Sequence, residues 1–286
     1  MSEFTLEKAR ALASQLQVPP RSDLAFLVFE DTVYYALHSR KPHEPSSAIL
    51  KLIQGIYELA PEIARILLRQ KIYSTAATTE LCHGAIKVAA KRVHAGLTPS
   101  PPSETLPVLR WIDAGSAELP TLRRPSFHPL SFWKQEEAPH SPADFLNLAK
   151  TLVSQIPDQE GPLYRRNREV AALLVSKEGE ILSWGINTNH SNRTFHAELN
   201  LVQDFFARTG KPIPAGAKIF ITLKPCKMCA GAIWVATEDP FSLEVYFSEF
   251  DSGRNARWTV LDVGSEERKN LARNPRERQA VLQRQI

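Results

Sequence analysis

The feature that most constrains the fold is an internal repeat. KARALASQL (8–16) resembles LAKTLVSQI (148–156), and LAFLVFED (24–31) resembles AALLVSKE (171–178). SAILKLI (47–53) resembles HAELNLV (196–202), and LCHGAIKVAA (81–90) resembles MCAGAIWVAT (228–237). TLPVLRWIDAG (105–115) resembles SLEVYFSEFDSG (242–253). The five pairs come in the same order, at offsets of 140, 147, 149, 147 and 137 residues. Self-similarity at a near-constant period means that one structural unit is built twice. A chain of 286 residues has room for two such units of ordinary domain size.

Proline marks the joint. Nine of the 21 prolines lie between Pro99 and Pro142. Proline fixes φ and removes a backbone donor, so this stretch reads as extended connection. The expected division is a first domain over 1–118, a proline-rich linker over 119–140, and a second domain over 141–286.

Periodicity assigns the elements of the second half. Phe145, Leu148, Ala149, Leu152, Val153 and Ile156 follow helical spacing from Pro142. Strands at 169–175 and 180–184 flank the turn Lys177-Glu178-Gly179. A helix runs from His196 to Arg208 and stops at Gly210, and a strand covers 217–223. A helix over 226–237 and a strand over 243–250 follow. After these come a further strand and a tail helix capped by Asn274 and Pro275. The order predicts a three-layer α/β domain with a mixed sheet, built twice in tandem.

Composition removes several function classes. Three cysteines in this length are too few for a disulfide scaffold and fit a reducing compartment, so a cytoplasmic location is expected. The first residues are mixed in charge and helical in pattern, unlike a secretory signal, and no apolar run reaches membrane-spanning length. Net charge is +4, well short of a protein that coats DNA. Locally the balance differs: from Gly264 onward six basic residues face three acids, Arg165, Arg166 and Arg168 follow Tyr164, and Arg193, Arg254 and Arg257 flank the motifs described next. That grouping points to a polyanionic substrate.

His196-Ala197-Glu198 opens one predicted helix and Pro225-Cys226-Lys227-Met228-Cys229 opens another. Cys-x-x-Cys alone could be redox-active or half of a structural zinc site. With His196 it supplies one imidazole and two thiolates, three ligands for Zn²⁺ that leave the fourth position for a water. Thiolates at a helix start are favoured by the free N–H groups and the dipole there. Glu198 is placed as a carboxylate beside that water rather than as a fourth ligand.

These paired motifs resemble those of the cytidine deaminase-like superfamily of zinc-dependent deaminases. TLKPCKMCAGAI (222–233) and VYFSEFDSG (245–253) resemble the bacterial tRNA adenosine deaminase branch in particular. The resemblance implies a three-layer fold, one zinc per chain held by His196, Cys226 and Cys229, and Glu198 as the catalytic proton carrier. It implies hydrolytic deamination of a nucleobase, within RNA or another nucleic acid, with ammonia released. The alternative it leaves open is a deaminase of a free nucleoside, nucleotide or base. Asn187, in Gly185-Ile186-Asn187, is similar to the Gly-x-Asn that meets the substrate sugar in this family. Thr194, Phe195, Ala197 and Pro225 are the further substrate-binding candidates, and Trp184 is read as core. Two departures stand out. The loop from Asn187 to His196 lacks the Asp-Pro usual before the histidine, and Lys224 stands where the tRNA branch has Glu. In the first half, Ser47, Ile49 and Thr79 occupy the places of His196, Glu198 and Cys226, and Cys82 alone remains. That half therefore reads as a deaminase-like domain without catalytic zinc. Since the tRNA enzymes act as homodimers, it is expected to serve as an intrachain pseudo-dimer partner.

Overall fold

The computed structural model describes residues 4–16, 18–103, 108–117, 141–154 and 169–262. The chain divides into two compact units, Met1–Pro42 with Ser46–Leu119, and His43–Pro45 with Pro120–Ile286. The linker at 119–140, Arg165, Arg166, Arg168 and the basic tail with its helix from Asn274 lie outside the described residues.

In the first unit the elements are α1 (Leu6–Gln15), β1 (Asp23–Phe29), β2 (Thr32–His38), α2 (Ala48–Leu59), α3 (Ala64–Leu67), β3 (Lys71–Ser74), α4 (Glu80–Ala89), β4 (Arg92–His94) and β5 (Arg110–Asp113). Their sheet runs β4-β3-β1-β2-β5. The second unit contains α5 (Pro142–Val153), β6 (Ala171–Val175), β7 (Ile181–Ile186), α6 (Ala197–Thr209), β8 (Lys218–Leu223), α7 (Lys227–Ala236) and β9 (Glu244–Glu249), with sheet order β7-β6-β8-β9.

Four strands of each sheet have the same connectivity. β1 pairs antiparallel with β2 and β3, and β3 runs parallel to β4. Likewise β6 pairs antiparallel with β7 and β8, and β8 runs parallel to β9. One of the five repeat pairs is corrected by this pairing. Residues 110–113 form β5 on the far edge, parallel to β2, whereas 244–249 form β9 beside β8. The counterpart of β9 is β4, which is only three residues long and too short to carry a readable pattern.

The second unit is layered as its periodicity requires. α5 begins at a capping box: Ser141 accepts from the Asp144 N–H, Asp144 reaches back to the Ser141 N–H, and Pro142 occupies the first helical turn. Its apolar face (Phe145, Leu148, Ala149, Leu152) packs on Ala171, Leu173 and Val175 of β6, with Trp184, Ile186 and Phe220. Side chains alternate across a strand, so Ala172, Leu174 and Gly185 face the opposite side, where α6 packs. All five residues of β6 are buried, as expected of a central strand covered on both faces. α6 ends at Gly210, whose φ of 62° satisfies the left-handed cap. Beyond β9, residues 254–256 and 260–262 form 3₁₀ turns, so no further strand follows within the described residues. Among those residues no helix is long and apolar enough to cross a membrane.

Candidate metal centre and active site

Two helix starts converge on one point. β8 ends at Leu223, and Pro225 is buried in the short link to α7. Cys226 is the N-cap of α7, and Cys229 sits one turn in. His196 is the N-cap of α6. The His196 side chain does not cap α6, and the Cys226 sulfur turns toward Cys229 one turn into α7, so both face a shared centre.

The Cys226 and Cys229 sulfurs are 3.6 Å apart, and they lie 3.6 and 3.5 Å from His196 Nδ1. A tetrahedral zinc at ~2.3 Å from sulfur and ~2.0 Å from nitrogen separates its ligand atoms by about 3.5–3.8 Å. The three donors thus already stand at three corners of such a tetrahedron, and no fourth His, Cys, Asp or Glu donor joins them among the described residues. Among the described residues this is the one group of three or more His, Cys, Asp or Glu side chains close enough to hold a metal ion. Cys229 is fully buried, Cys226 nearly so and His196 half-buried, so one side of the centre faces outward. The donor set fits zinc.

Charge is tightly coupled here. The Cys226 thiol is held well below its usual pKa, chiefly by its hydrogen bond with Cys229 and then by the His196 imidazole. Burial drives Cys229 in the opposite direction, with the Cys226 thiolate adding to it. Cys226 is therefore the readier of the two thiols to ionise, and a bound cation would favour loss of both protons. Glu198, only 4% exposed, lies against the same sulfurs. Its carboxyl is raised to about 7, first by burial and then by the charge of Cys226. A carboxyl that can both take and give a proton near neutrality is what acid–base work requires.

α6 reaches this position because β7 carries glycine at the crossing. A Cβ on Gly185 would lie 2.2 Å from the Ala197 carbonyl oxygen and 2.8 Å from the Leu201 nitrogen. Ala197, between His196 and Glu198, is consequently fully buried with its carbonyl against the strand.

The remaining candidates lie on the loop between β7 and α6. Asn187 is buried just after β7, and its N–H bonds Val170 O at 2.9 Å. Thr194 is fully buried, with its N–H and hydroxyl donating to Asn192 Oδ1 at 3.2 and 2.8 Å. Phe195 is 6% exposed, and Trp184 belongs to the core under α5, as read from the sequence. Sequence reasoning missed Asn192 as the organiser of this loop and missed a bridge behind the metal loop. In that bridge Lys224 Nζ lies 2.6 Å from Asp262. A buried asparagine flanked by apolar helix positions was the one available hint of loop tethering, at Asn200.

The equivalent place in the first unit is closed by hydrogen bonds. Ser47 caps α2 through the Leu50 N–H, and Thr79 caps α4 through the Cys82 N–H. Cys82 Sγ lies 3.4 Å from each hydroxyl, and buried Ile49 supplies no proton carrier. His83 pairs with Thr78 Oγ1 at 2.8 Å.

Residues 162–272 match the Bd3614-like deaminase family. Over 103 residues the chain is 30% identical to a tRNA-specific adenosine deaminase of Bacillus subtilis, covering 35% of this chain and 61% of that protein. Over 93 residues it is 33% identical to a tRNA(Ile)-lysidine synthase of Deinococcus radiodurans, covering 32% of this chain and 16% of that protein. The chain thus spans less than two thirds of either relative. A solved structure from a study of A-to-I editing by tRNA:A34 deaminases aligns at 26% identity and a TM-score of 0.31, over 38% of this chain and 77% of that one. The likeness to the cytidine deaminase-like superfamily, including its tRNA adenosine deaminase branch, is therefore upheld, and it rests on the half of the chain that carries His196, Glu198, Cys226 and Cys229.

Proposed function

We propose that the second unit is a zinc-dependent hydrolytic deaminase acting on a nucleobase within a nucleic acid, in the manner of a tRNA adenosine deaminase. The observation that carries this reading is the His196–Cys226–Cys229 triangle with a buried carboxyl, Glu198, beside its sulfurs. Zinc held there would lower the pKa of a coordinated water toward ~7. Glu198 takes the proton released and delivers it to the ring nitrogen next to the carbon under attack. It then carries a proton to the amino group, which leaves as ammonia while the carbon gains oxygen from water. Asn187, Thr194, Phe195, Ala197 and Pro225 form the walls that seat the base and its sugar. Their burial keeps bulk water from the reacting face.

The nucleic-acid substrate is supported by the two relatives named for tRNA and by exposed Arg254 and Arg257 beyond β9. A free nucleoside, nucleotide or base is the second reading. It is favoured by the loop from Asn187 to His196, which lacks the Asp-Pro of the tRNA branch. We further propose a cytoplasmic enzyme in which 1–118 is a degenerate copy without catalytic zinc, 119–140 a connecting strap and 141–286 the catalytic domain. The shared strand connectivity and the capped Ser47–Thr79–Cys82 cluster support the duplication. The copy would act as a built-in substitute for a dimer partner.

The deciding experiment is ammonia release from the zinc-loaded protein on a panel of RNA, single-stranded DNA, nucleosides and bases. Turnover of RNA with steeply salt-dependent affinity is expected, since each neutralised phosphate adds about 0.7 to the log–log slope on single strands. Salt-independent turnover of a free nucleoside would establish the second reading. No ammonia from any substrate would refute deamination. Full activity of isolated residues 141–286 as a monomer would refute the partner role.

A further inference from the structure

The loop from Asn187 to Phe195 is joined at its two ends: the Thr188 N–H bonds Phe195 O at 2.9 Å. Inside it, Asn192 O accepts the Phe195 N–H at 3.0 Å, and the Asn192 carboxamide oxygen takes both donors of Thr194. The loop therefore has internal order. One side chain of α6 reaches several parts of it at once. Asn200, 1% exposed in the first turns of α6, points its Nδ2 at Ile186 O (2.8 Å), Thr188 Oγ1 (3.0 Å) and Phe195 O (3.5 Å). These are the last residue of β7, the loop's first turn and the loop's last residue. The Asn200 backbone N–H meanwhile bonds His196 O at 2.9 Å. All three side-chain partners accept, so the amide orientation is fixed. Asn200 Oδ1 is buried and has no hydrogen-bond partner among the described residues. A position selected for packing alone would be apolar, because an idle buried acceptor is unfavourable. What Asn200 contributes at this position is its two N–H groups.

Residues two apart on a helix point in nearly opposite directions, so Asn200 faces the loop while Glu198 faces the metal donors. We infer that Asn200 is a positioning residue that clamps loop 187–195 to α6 and sets the distance between the substrate-facing side chains and Glu198. It touches neither metal nor base. This inference rests on the reading of that loop as the substrate wall. The clamp itself is independent of which base is deaminated.

The test uses the full chain loaded with zinc and the variant Asn200→Leu, which keeps the volume and removes both the donors and the idle acceptor. Amide exchange in the substrate-free protein should rise about tenfold at Thr188, Phe195 and His196, as loss of a net hydrogen bond predicts, and stay unchanged in β6 and β8. Bound zinc should stay at one per chain. With a substrate found by the ammonia assay, KM should rise about tenfold with kcat within about threefold, the pattern of lost binding geometry. Thr188→Val should have a smaller effect alone and little further effect in the Asn200→Leu background. Unchanged exchange in the loop would overturn the clamp whatever the activity. Loss of zinc, or a fall in kcat at constant KM, would overturn the positioning role and place Asn200 in the metal centre. A wild-type protein that deaminates nothing, with loop exchange raised in the variant, would refute the substrate reading while leaving the clamp.

Discussion

Gly185→Ala is the sharpest perturbation the fold offers, because one methyl group presses on the backbone of α6 without replacing any residue of the proposed site. The new Cβ would sit 2.2 Å from Ala197 O, 2.8 Å from Leu201 N and 3.0 Å from Leu201 Cβ, against about 3.4 Å for ordinary contact. Two of these neighbours are helix backbone, so no side chain can swing away. α6 must move from β7 by about 1 Å. Overpacking of this kind costs ~1–3 kcal/mol, which for a unit of this size lowers Tm by about 2–12 °C. The catalytic effect should be larger than the stability effect. His196 and Glu198 ride on the displaced turn, and a 1 Å misplacement can cost about 10²-fold in rate. Thermal melting, zinc per chain and ammonia release are measured together, with Gly179→Ala as control. Gly179 has φ of 96° and open space around a Cβ, so its substitution strains a turn without moving α6. The expected result is a comparable loss of Tm in both variants and a loss of turnover in Gly185→Ala alone. Wild-type zinc, Tm and activity in Gly185→Ala would refute the account of how α6 is placed.

Three further outcomes test the centre. Glu198→Gln should retain one zinc and lose about 10²–10⁴-fold in ammonia release, and unimpaired turnover would remove Glu198 from the mechanism. Cys226→Ser should abolish stoichiometric zinc and make Tm insensitive to added zinc, whereas a chelator should lower the Tm of the wild-type protein alone. Ser47→His combined with Thr79→Cys should place a His/Cys/Cys set around Cys82 and raise bound zinc from one to two per chain. One zinc in that double variant, with the fold intact by circular dichroism, would show that the two helix starts are not equivalent.

The candidate ligands were legible in the sequence because metal-binding chemistry dictates both residue type and place. Imidazole and thiolate must be deprotonated, and helix N-termini favour that. Pro142, Gly210 and the Cys226 helix start fixed element ends for the same local reasons. The rest depended on contacts between distant residues. β5 has the apolar alternation of any edge strand, and only its parallel pairing with β2 separates it from the counterpart of β9. Gly185 was visible as part of Gly-x-Asn, but its necessity comes from the Ala197 carbonyl on the neighbouring layer. The partners of Asn200 lie 5 to 14 residues away along a loop whose path no periodicity reveals.

Comparison of the two pairs of helix starts explains what the centre costs the fold. Ser47 and Thr79 each satisfy a backbone N–H of the helix they cap. His196, at the Ser47 position on α6, satisfies none, whereas Cys226 Sγ takes the Cys229 N–H of α7 as a weaker sulfur acceptor. A serine or threonine cap stabilises by ~0.5–2 kcal/mol, so the second unit forgoes roughly that much at α6. Without metal it also buries a coupled pair of thiols beside a carboxyl. Bound zinc would offset both, since binding a ligand-competent native state stabilises it. Zinc should therefore act on the stability of the second unit as strongly as on its chemistry, while the first unit melts at the same temperature with or without it. Calorimetry of the full chain before and after chelation should show one transition shift and the other stay. Two transitions that fall together would refute that division of labour.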